Sequence, residues 1–359
     1  MNNPTYIIAE AGVNHNGSLE MAKQLVDIAK QAGADAVKFQ TFKTENLVTQ
    51  AASQAEYQVN NLGEETTQFG MLKKLELSYE EFVNVKKYCD SLRIEFLSTP
   101  FDFESVDFLL NDIGMNKFKI PSGELTNSPF IHYIATKRKP MIISTGMATM
   151  EDIHDALAFI AFGLAFPEHS VELDNVQAFY HTEEAKLLLN EYVTVLHCTT
   201  EYPAPFETIN LNAMNTMKKE LQLSTGFSDH SEGIAVPIAA AALGATIIEK
   251  HFTLNRNLPG PDHRASLEPK ELEEMVIGIR IVEQSLGTGN KTPTQIELEN
   301  RKAARKSIVA NIEIAAGEIL TENHLTIKRP GNGMPPTAYW SLIGKRTKKS
   351  YEMDALIDE

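Results

Sequence analysis

The chain has 359 residues, 43% of them hydrophobic and 23% charged, and a formal net charge of −15. That length predicts two domains, or one large barrel with an appendage, and there is no run of about 18 apolar residues to span a bilayer. The acidic balance argues against nucleic-acid partners, whose affinity comes mainly from Lys and Arg, so an anionic substrate would have to meet local cations or a metal.

The opening "MNNPTYIIAEAGVNHNG" lacks a basic stretch followed by a long apolar one, so it does not read as a secretion signal. Only Cys89 and Cys198 are present, too few for a disulfide framework. A cytoplasmic enzyme is the expectation.

From residue 5 to about 287 the chain alternates short β-like runs with stretches of helical period. The runs are "YIIAE", "AVKFQ", "EFLSTP", "KFKIP", "MIIST", "VTVLHC", "STGFSDH" and "TIIEKHF". The helix after the first run has Ser18 as a cap, Met21, Leu25, Ile28 and Ala32 on one face, and Gly33 at its end. The helix after the last has Pro269 at its first position, then Leu272, Met275, Val276 and Ile279. Eight such units predict a (β/α)8 barrel over residues 1–286. A doubly wound open sheet is the alternative, but no GxGxxG follows the first run. Two connections stand out. Residues 43–76 form a long polar loop that would cover the site, and residues 163–192 lengthen a later connection with one or two extra helices. Beyond a linker at 287–304, residues 305–359 show short β runs and Gly and Pro turns, a small β-rich domain.

A barrel builds its active site from the C-terminal ends of its strands. Here those ends carry Glu10, Lys38 with Gln40, Thr99, Lys119 with Ser122, Ser144 with Thr145, His197, His230, and Glu249 with His251. Alternation along a strand puts Lys38 with Gln40, and Glu249 with His251, on shared sides. It turns Lys250 away from His251, which demotes it as a Schiff-base nucleophile and leaves Lys38 and Lys119. Cys198 is likewise expected to point outward, opposite His197. Two lysines and several hydroxyls suggest a cradle for phosphate or carboxylate. The plain alternative is that Lys119 and Ser122 pair with a carboxylate such as Glu124.

His197, His230 and His251 end consecutive runs, so their rings can converge on one sector of the mouth. They read either as satisfied structural histidines or as ligands of a divalent ion. Oxygen-rich coordination completed by substrate would suit Mn²⁺ or Mg²⁺. Glu10 reads as a general base, as an ion-pair partner of Lys38, or both. Arg329, in "KRPGNGMPP", reads as a solvated arginine on composition alone.

The segments "IIAEAGVNHNGS", "AVKFQTFK", "FLSTPFD", "KIPSGE", "ISTGMAT", "LHCTTEYPAPF", "GFSDHSEGI", "IIEKHFTL", "GPDHRASLEP" and "KRPGNG" closely resemble those of bacterial N-acylneuraminate (sialic acid) synthases and their legionaminic acid synthase relatives. They cover nearly the whole chain in order. The resemblance implies a TIM barrel followed by an antifreeze-like (SAF) domain, arranged as a domain-swapped homodimer. It implies condensation of phosphoenolpyruvate with an N-acyl hexosamine and water, giving a nonulosonic acid and phosphate. The acceptor it implies is N-acetylmannosamine or a 6-deoxy 2,4-diacetamido hexose.

Carried over residue by residue, the resemblance makes His230 and His251 the metal ligands, with Mn²⁺ expected and Mg²⁺ or Co²⁺ as alternatives. Phosphoenolpyruvate contacts fall on Lys38, Thr99, Lys119, Ser122 and Ser144. Sugar-side contacts fall on Gln40, Tyr202, Asp262 and, from the partner subunit, Arg329. Glu10 is placed to deprotonate water. Glu124, Glu249 and His197 are counted with the substrate-binding residues. The 163–192 segment is longer than the family leads one to expect. The rival readings are a lysine Schiff-base aldolase on the same fold and a non-catalytic sugar-binding protein.

Overall fold

A computed structural model describes residues 4–63 and 66–358. Each predicted run forms a strand: β1 (Tyr6–Gly12), β2 (Ala36–Thr41), β3 (Glu95–Pro100), β4 (Phe118–Ile120), β5 (Met141–Ser144), β6 (Val193–Cys198), β7 (Ser224–Asp229) and β8 (Ile247–His251). Their order is β3-β2-β1-β8-β7-β6-β5-β4, all hydrogen-bonded neighbours being parallel. β3 and β4 lie side by side and close the ring. The result is an eight-stranded parallel barrel, as the run of βα units predicts.

Local chemistry explains the flanking helices. Ser18 accepts a hydrogen bond from the Met21 N–H at the start of the helix Leu19–Gln31, whose Ala22, Leu25, Val26 and Ala29 are buried. Pro269 opens the helix Pro269–Ser285, which buries Leu272, Met275, Val276 and Ile279. Apolar strand residues such as Ile7, Ile8, Phe39, Leu97, Phe118 and Val195 join these helix faces in one core. Burying each such side chain contributes roughly 1.5–3 kcal/mol.

The loop after β2 carries three short helices, Thr44–Leu47, Glu56–Leu62 and Gln68–Leu75. Met71 and Leu75 pack with Val13 and Phe42 in a small cluster of their own, which seats the loop above the barrel mouth. The 163–192 segment contains the helices Leu173–Tyr180 and Glu183–Tyr192. Val176 packs on Ala158 and Phe162, on the outer side of the preceding helix Met150–Ala165.

The chain divides after Leu286. In the second unit β9 (Ser307–Ala310) and β10 (Leu325–Lys328) pair antiparallel. Ile308, Ala310, Ile314, Leu320, Leu325, Leu342, Tyr351 and Ile357 form its core. Within 287–304, where the sequence suggested a bare linker, Gln295–Ala304 is helical, capped by Thr294 and held to the unit through the Lys302 carbonyl, which accepts from the Gly331 N–H at 2.8 Å.

Candidate active site

Register across the barrel decides which side chains meet, because paired residues of a parallel ladder face the same side. Glu10 pairs with Lys38 and with His251, and Gln40 with Thr99. Glu249 pairs with Ser228, and Ser228 with Cys198. All of these line one cavity of about 460 Å³ at the C-terminal mouth, together with Lys119, Ser122, Glu124, Ser144, Tyr202, His230 and Asp262. That size falls within the range of small-molecule sites.

Two expectations on β6 are corrected. His197 faces away from the cavity, its Nε2 lying 2.7 Å from the Ile209 carbonyl oxygen. Cys198 faces in, its Sγ 3.7 Å from His230 Nδ1 and 3.7 Å from Ser122 Oγ. The physical reason is the row Glu249, Ser228, Cys198: if Glu249 points inward, its ladder partners do too, and His197 cannot. Treating β6 alone hid that constraint. Arg329 lies in the C-terminal unit, exposed, with its Nε donating to the Ala304 carbonyl at 3.1 Å.

The floor is an alternating set of buried charges. Lys38 Nζ lies 2.7 Å from Glu10 Oε2 and 3.6 Å from Glu249 Oε2, and Lys119 Nζ lies 3.2 Å from Glu249 Oε1. Lys38 also donates to Thr99 Oγ1 at 2.9 Å, and Ser228 Oγ donates to Glu249 Oε1 at 2.7 Å. The expected pairing of Glu10 with Lys38 is therefore present. The pairing of Lys119 with Glu124 is not: Glu124 accepts instead from Asn127 Nδ2 at 2.7 Å.

Burial pushes the Glu10 carboxyl up to about 7, with Lys38 opposing and Glu249 adding to the shift. Glu249 suffers the same burial, but Lys119 and Lys38 outweigh it and hold its carboxyl well below the usual range. Two carboxylates on one floor thus take opposite protonation tendencies, the arrangement that acid–base chemistry uses. Burial also lowers Lys119, whereas at Lys38 the two glutamates overcome it.

Beside this floor lies a set of hydroxyls. Ser122 Oγ accepts from the Gly146 N–H at 2.9 Å. Ser144 Oγ and Thr200 Oγ1 are buried with no hydrogen-bond partner among the described residues. Buried polar atoms normally find partners, so this pair of hydroxyls is poised to meet a ligand. A Cβ at Gly146 would come within 2.1 Å of Thr200 Oγ1 and 2.9 Å of Ser122 Oγ, so only glycine fits there. Sequence reading missed Thr200 and Gly146, although both stand inside segments quoted for the resemblance.

His230 and His251 sit on the opposite side, with ring centroids 5.4 Å apart. His230 Nδ1 lies 2.6 Å from the Thr199 carbonyl oxygen, which fixes the proton on that nitrogen and leaves Nε2 as a donor atom. Burial lowers His230, but the neighbouring Cys198 reverses the direction. His251 is driven well below its ordinary range by burial and by His230, and its Nδ1 is buried without a partner among the described residues. Two inward imidazoles of this kind fit a divalent ion whose other positions are filled by water or substrate. Among the described residues there is no group of three or more His, Cys, Asp or Glu side chains that would hold an ion unaided.

Tyr202 packs on His230 at 4.1 Å between centroids and meets His251 edge-on at 5.5 Å. The loop after β2 covers this side, Tyr57 lying 5.1 Å from Tyr202. Asn61 Nδ2 donates to the Tyr202 carbonyl at 3.3 Å and to the Pro261 carbonyl at 2.7 Å. The outer wall combines the apolar side chains of Val13, Phe42, Leu47, Met71 and Leu72 with Tyr57 and the amides of Gln58 and Gln68. Burial raises Asp262 to about 6.

Residues 25–291 match the NeuB family and residues 305–358 the SAF domain. The chain is 45% identical to an N,N'-diacetyllegionaminic acid synthase of Legionella pneumophila, covering 95% of this chain and 90% of that protein. It is also 45% identical to one of Campylobacter jejuni, covering 99% of each. Among solved structures, a sialic acid synthetase of Leptospira borgpetersenii in complex with citrate superposes with a TM-score of 0.66 at 31% identity, over 83% of this chain and 90% of that one. With its barrel matched to one model and its C-terminal unit to the other, the chain belongs to the NeuB family and ends in a SAF domain.

Proposed function

We propose that this protein condenses phosphoenolpyruvate with an N-acyl hexosamine and water, releasing phosphate and a nonulosonic acid. The observation that carries the reading is one cavity holding two lysines, the floor glutamates Glu10 and Glu249 of opposite tendency, free hydroxyls and two inward histidines. Lys38 and Lys119 bind the anionic ends of phosphoenolpyruvate, with Ser122, Ser144, Thr99 and Thr200 supplying hydroxyl contacts. Their role is to hold C3 of the enol against the aldehyde carbon of the open-chain sugar. As the C3–C1 bond forms, C2 becomes electrophilic. Glu10 takes a proton from the water that adds there. The former aldehyde oxygen takes up one proton to become a hydroxyl, and the tetrahedral centre collapses to the keto acid as its own hydroxyl gives up a proton and the C2–O bond to the departing phosphate breaks.

His230 and His251 hold the divalent ion, Mn²⁺ in this reading with Mg²⁺ or Co²⁺ as substitutes, and when bound it supplies a Lewis acid for the sugar's aldehyde oxygen. Gln40, Tyr202 and Asp262 line the sugar side. In a domain-swapped homodimer, Arg329 of the partner subunit completes it. No helix of the described residues is long and apolar enough to cross a membrane, and the proposed compartment is the cytoplasm.

The acceptor we favour is 2,4-diacetamido-2,4,6-trideoxymannose. The chain is 45% identical to two named legionaminic acid synthases but 34% identical to the human N-acetylneuraminate-9-phosphate synthase. The lining agrees. Among the described residues of this chain around the cavity, Lys38 and Lys119 are the only Lys or Arg, and both are paired on the floor, which leaves Arg329 of the partner subunit as the one further cation the reading brings to the sugar. The apolar patch of Val13, Phe42, Leu47, Met71 and Leu72 offers a place for the methyl group at C6.

The test against a Schiff-base aldolase is chemical. EDTA should arrest phosphate release from phosphoenolpyruvate, Mn²⁺ should restore it, and borohydride should trap nothing. Turnover that survives EDTA, with a reduced adduct on a lysine, would overturn the proposal.

A further inference from the structure

A charged residue followed by a histidine marks the end of both β7 and β8: Asp229 closes β7 with His230 just beyond it, and Lys250 and His251 close β8. Alternation turns the histidines into the cavity and the charged pair outward, between the barrel wall and the surrounding helices. There Lys250 Nζ lies 2.7 Å from Asp229 Oδ2, with both side chains 0% exposed. Lys250 also donates to the Ser231 carbonyl, and Asp229 Oδ1 accepts from the Ser231 N–H at 2.9 Å. The pair thus joins the two strands across the ladder position Asp229–Lys250 and grips the backbone immediately after His230.

Neither residue lines the cavity, so neither touches substrate in the proposed reaction. Nor is stability an adequate reason for them, because a buried ion pair is often matched or bettered by apolar side chains of similar volume. What the pair does, and apolar residues cannot, is fix the turn at Ser231 and the spacing of two adjacent strand ends. We infer that Asp229 and Lys250 are positioning residues which set the separation and ring orientation of His230 and His251, and thereby the affinity of the site for a divalent ion. This inference rests on the proposed metal reading. Groups that orient metal ligands from behind typically govern about ten- to a hundredfold in affinity.

The test is Mn²⁺ binding by titration calorimetry to the metal-stripped full-length protein, with folding checked by circular dichroism. The double variant D229L/K250M removes both grips on Ser231 while leaving no unpaired charge, and D229N preserves shape while weakening the pair. The double variant should bind Mn²⁺ at least about tenfold more weakly than wild type, and D229N about threefold more weakly. Should the double variant fail to fold, D229N decides. A purely structural role would move the melting temperature and leave the Mn²⁺ dissociation constant of the folded variant within about twofold of wild type; that result overturns the inference and leaves the metal reading standing. A wild-type protein that takes up no Mn²⁺ overturns both.

Discussion

Glu10 is where burial is turned to use at the scale of one residue. A carboxyl lifted to about 7 is half ionised near neutrality, and only the ionised form can accept a proton from water. The sign follows: kcat/KM should fall as pH drops below about 7, because protonation removes the base. Glu10→Gln should lower kcat by about a hundredfold or more and abolish that acid limb, while phosphoenolpyruvate still binds through Lys38 and Lys119. Full turnover by the variant, or an unchanged acid limb, would remove Glu10 from the role. At this scale the sequence was legible where a polar residue stands in the C-terminal half of an apolar strand or just past it, as with Glu10, Lys38, His230 and His251. It misled at His197, because the chemistry of imidazole invited an inward placement that the register of β6 against β7 forbids. Asking which side Cys198 must share with Ser228 and Glu249 would have settled it.

Among the elements, the eight strands and their helices were legible because each carries its own signals: apolar runs ending in polar residues, caps such as Ser18, and Pro269 at a first helical turn. The loop after β2 could be recognised as a cover from its length alone, but its attachment could not. Asn61 is an ordinary polar residue in sequence, and its partners are the backbone carbonyls of Tyr202 and Pro261, more than a hundred residues away. No side-chain pattern encodes such partners. The attachment ties the helix Glu56–Leu62 to the sugar side, while the phosphoenolpyruvate contacts lie on the barrel floor. Asn61→Ala loses both hydrogen bonds, and steady-state kinetics should show the acceptor KM rising about tenfold with the phosphoenolpyruvate KM within about twofold of wild type. An acceptor KM that stays put would mean that the loop closes without this tie.

For the molecule as a whole, the net charge of −15 and the affinity for anions are reconciled by placement. Lys38 and Lys119 are buried at the barrel floor, where low dielectric strengthens their attraction for a phosphate and a carboxylate, and distant surface acids are screened. The break into two units was visible as a change from βα repeats to short β runs with Gly and Pro turns. The helix Gln295–Ala304 was not, since it buries no side chain and so lacks an apolar stripe. What composition and spacing left open about function, the family match and the cavity lining narrow to a proposed acceptor. The most direct measurement is phosphate release from phosphoenolpyruvate in the presence of Mn²⁺ and each of two sugars in turn. We expect kcat/KM with 2,4-diacetamido-2,4,6-trideoxymannose to exceed that with N-acetylmannosamine by at least about tenfold, and no release without a sugar. Equal or greater efficiency with N-acetylmannosamine would contradict the proposed acceptor, and no phosphate from either sugar would contradict the condensation itself.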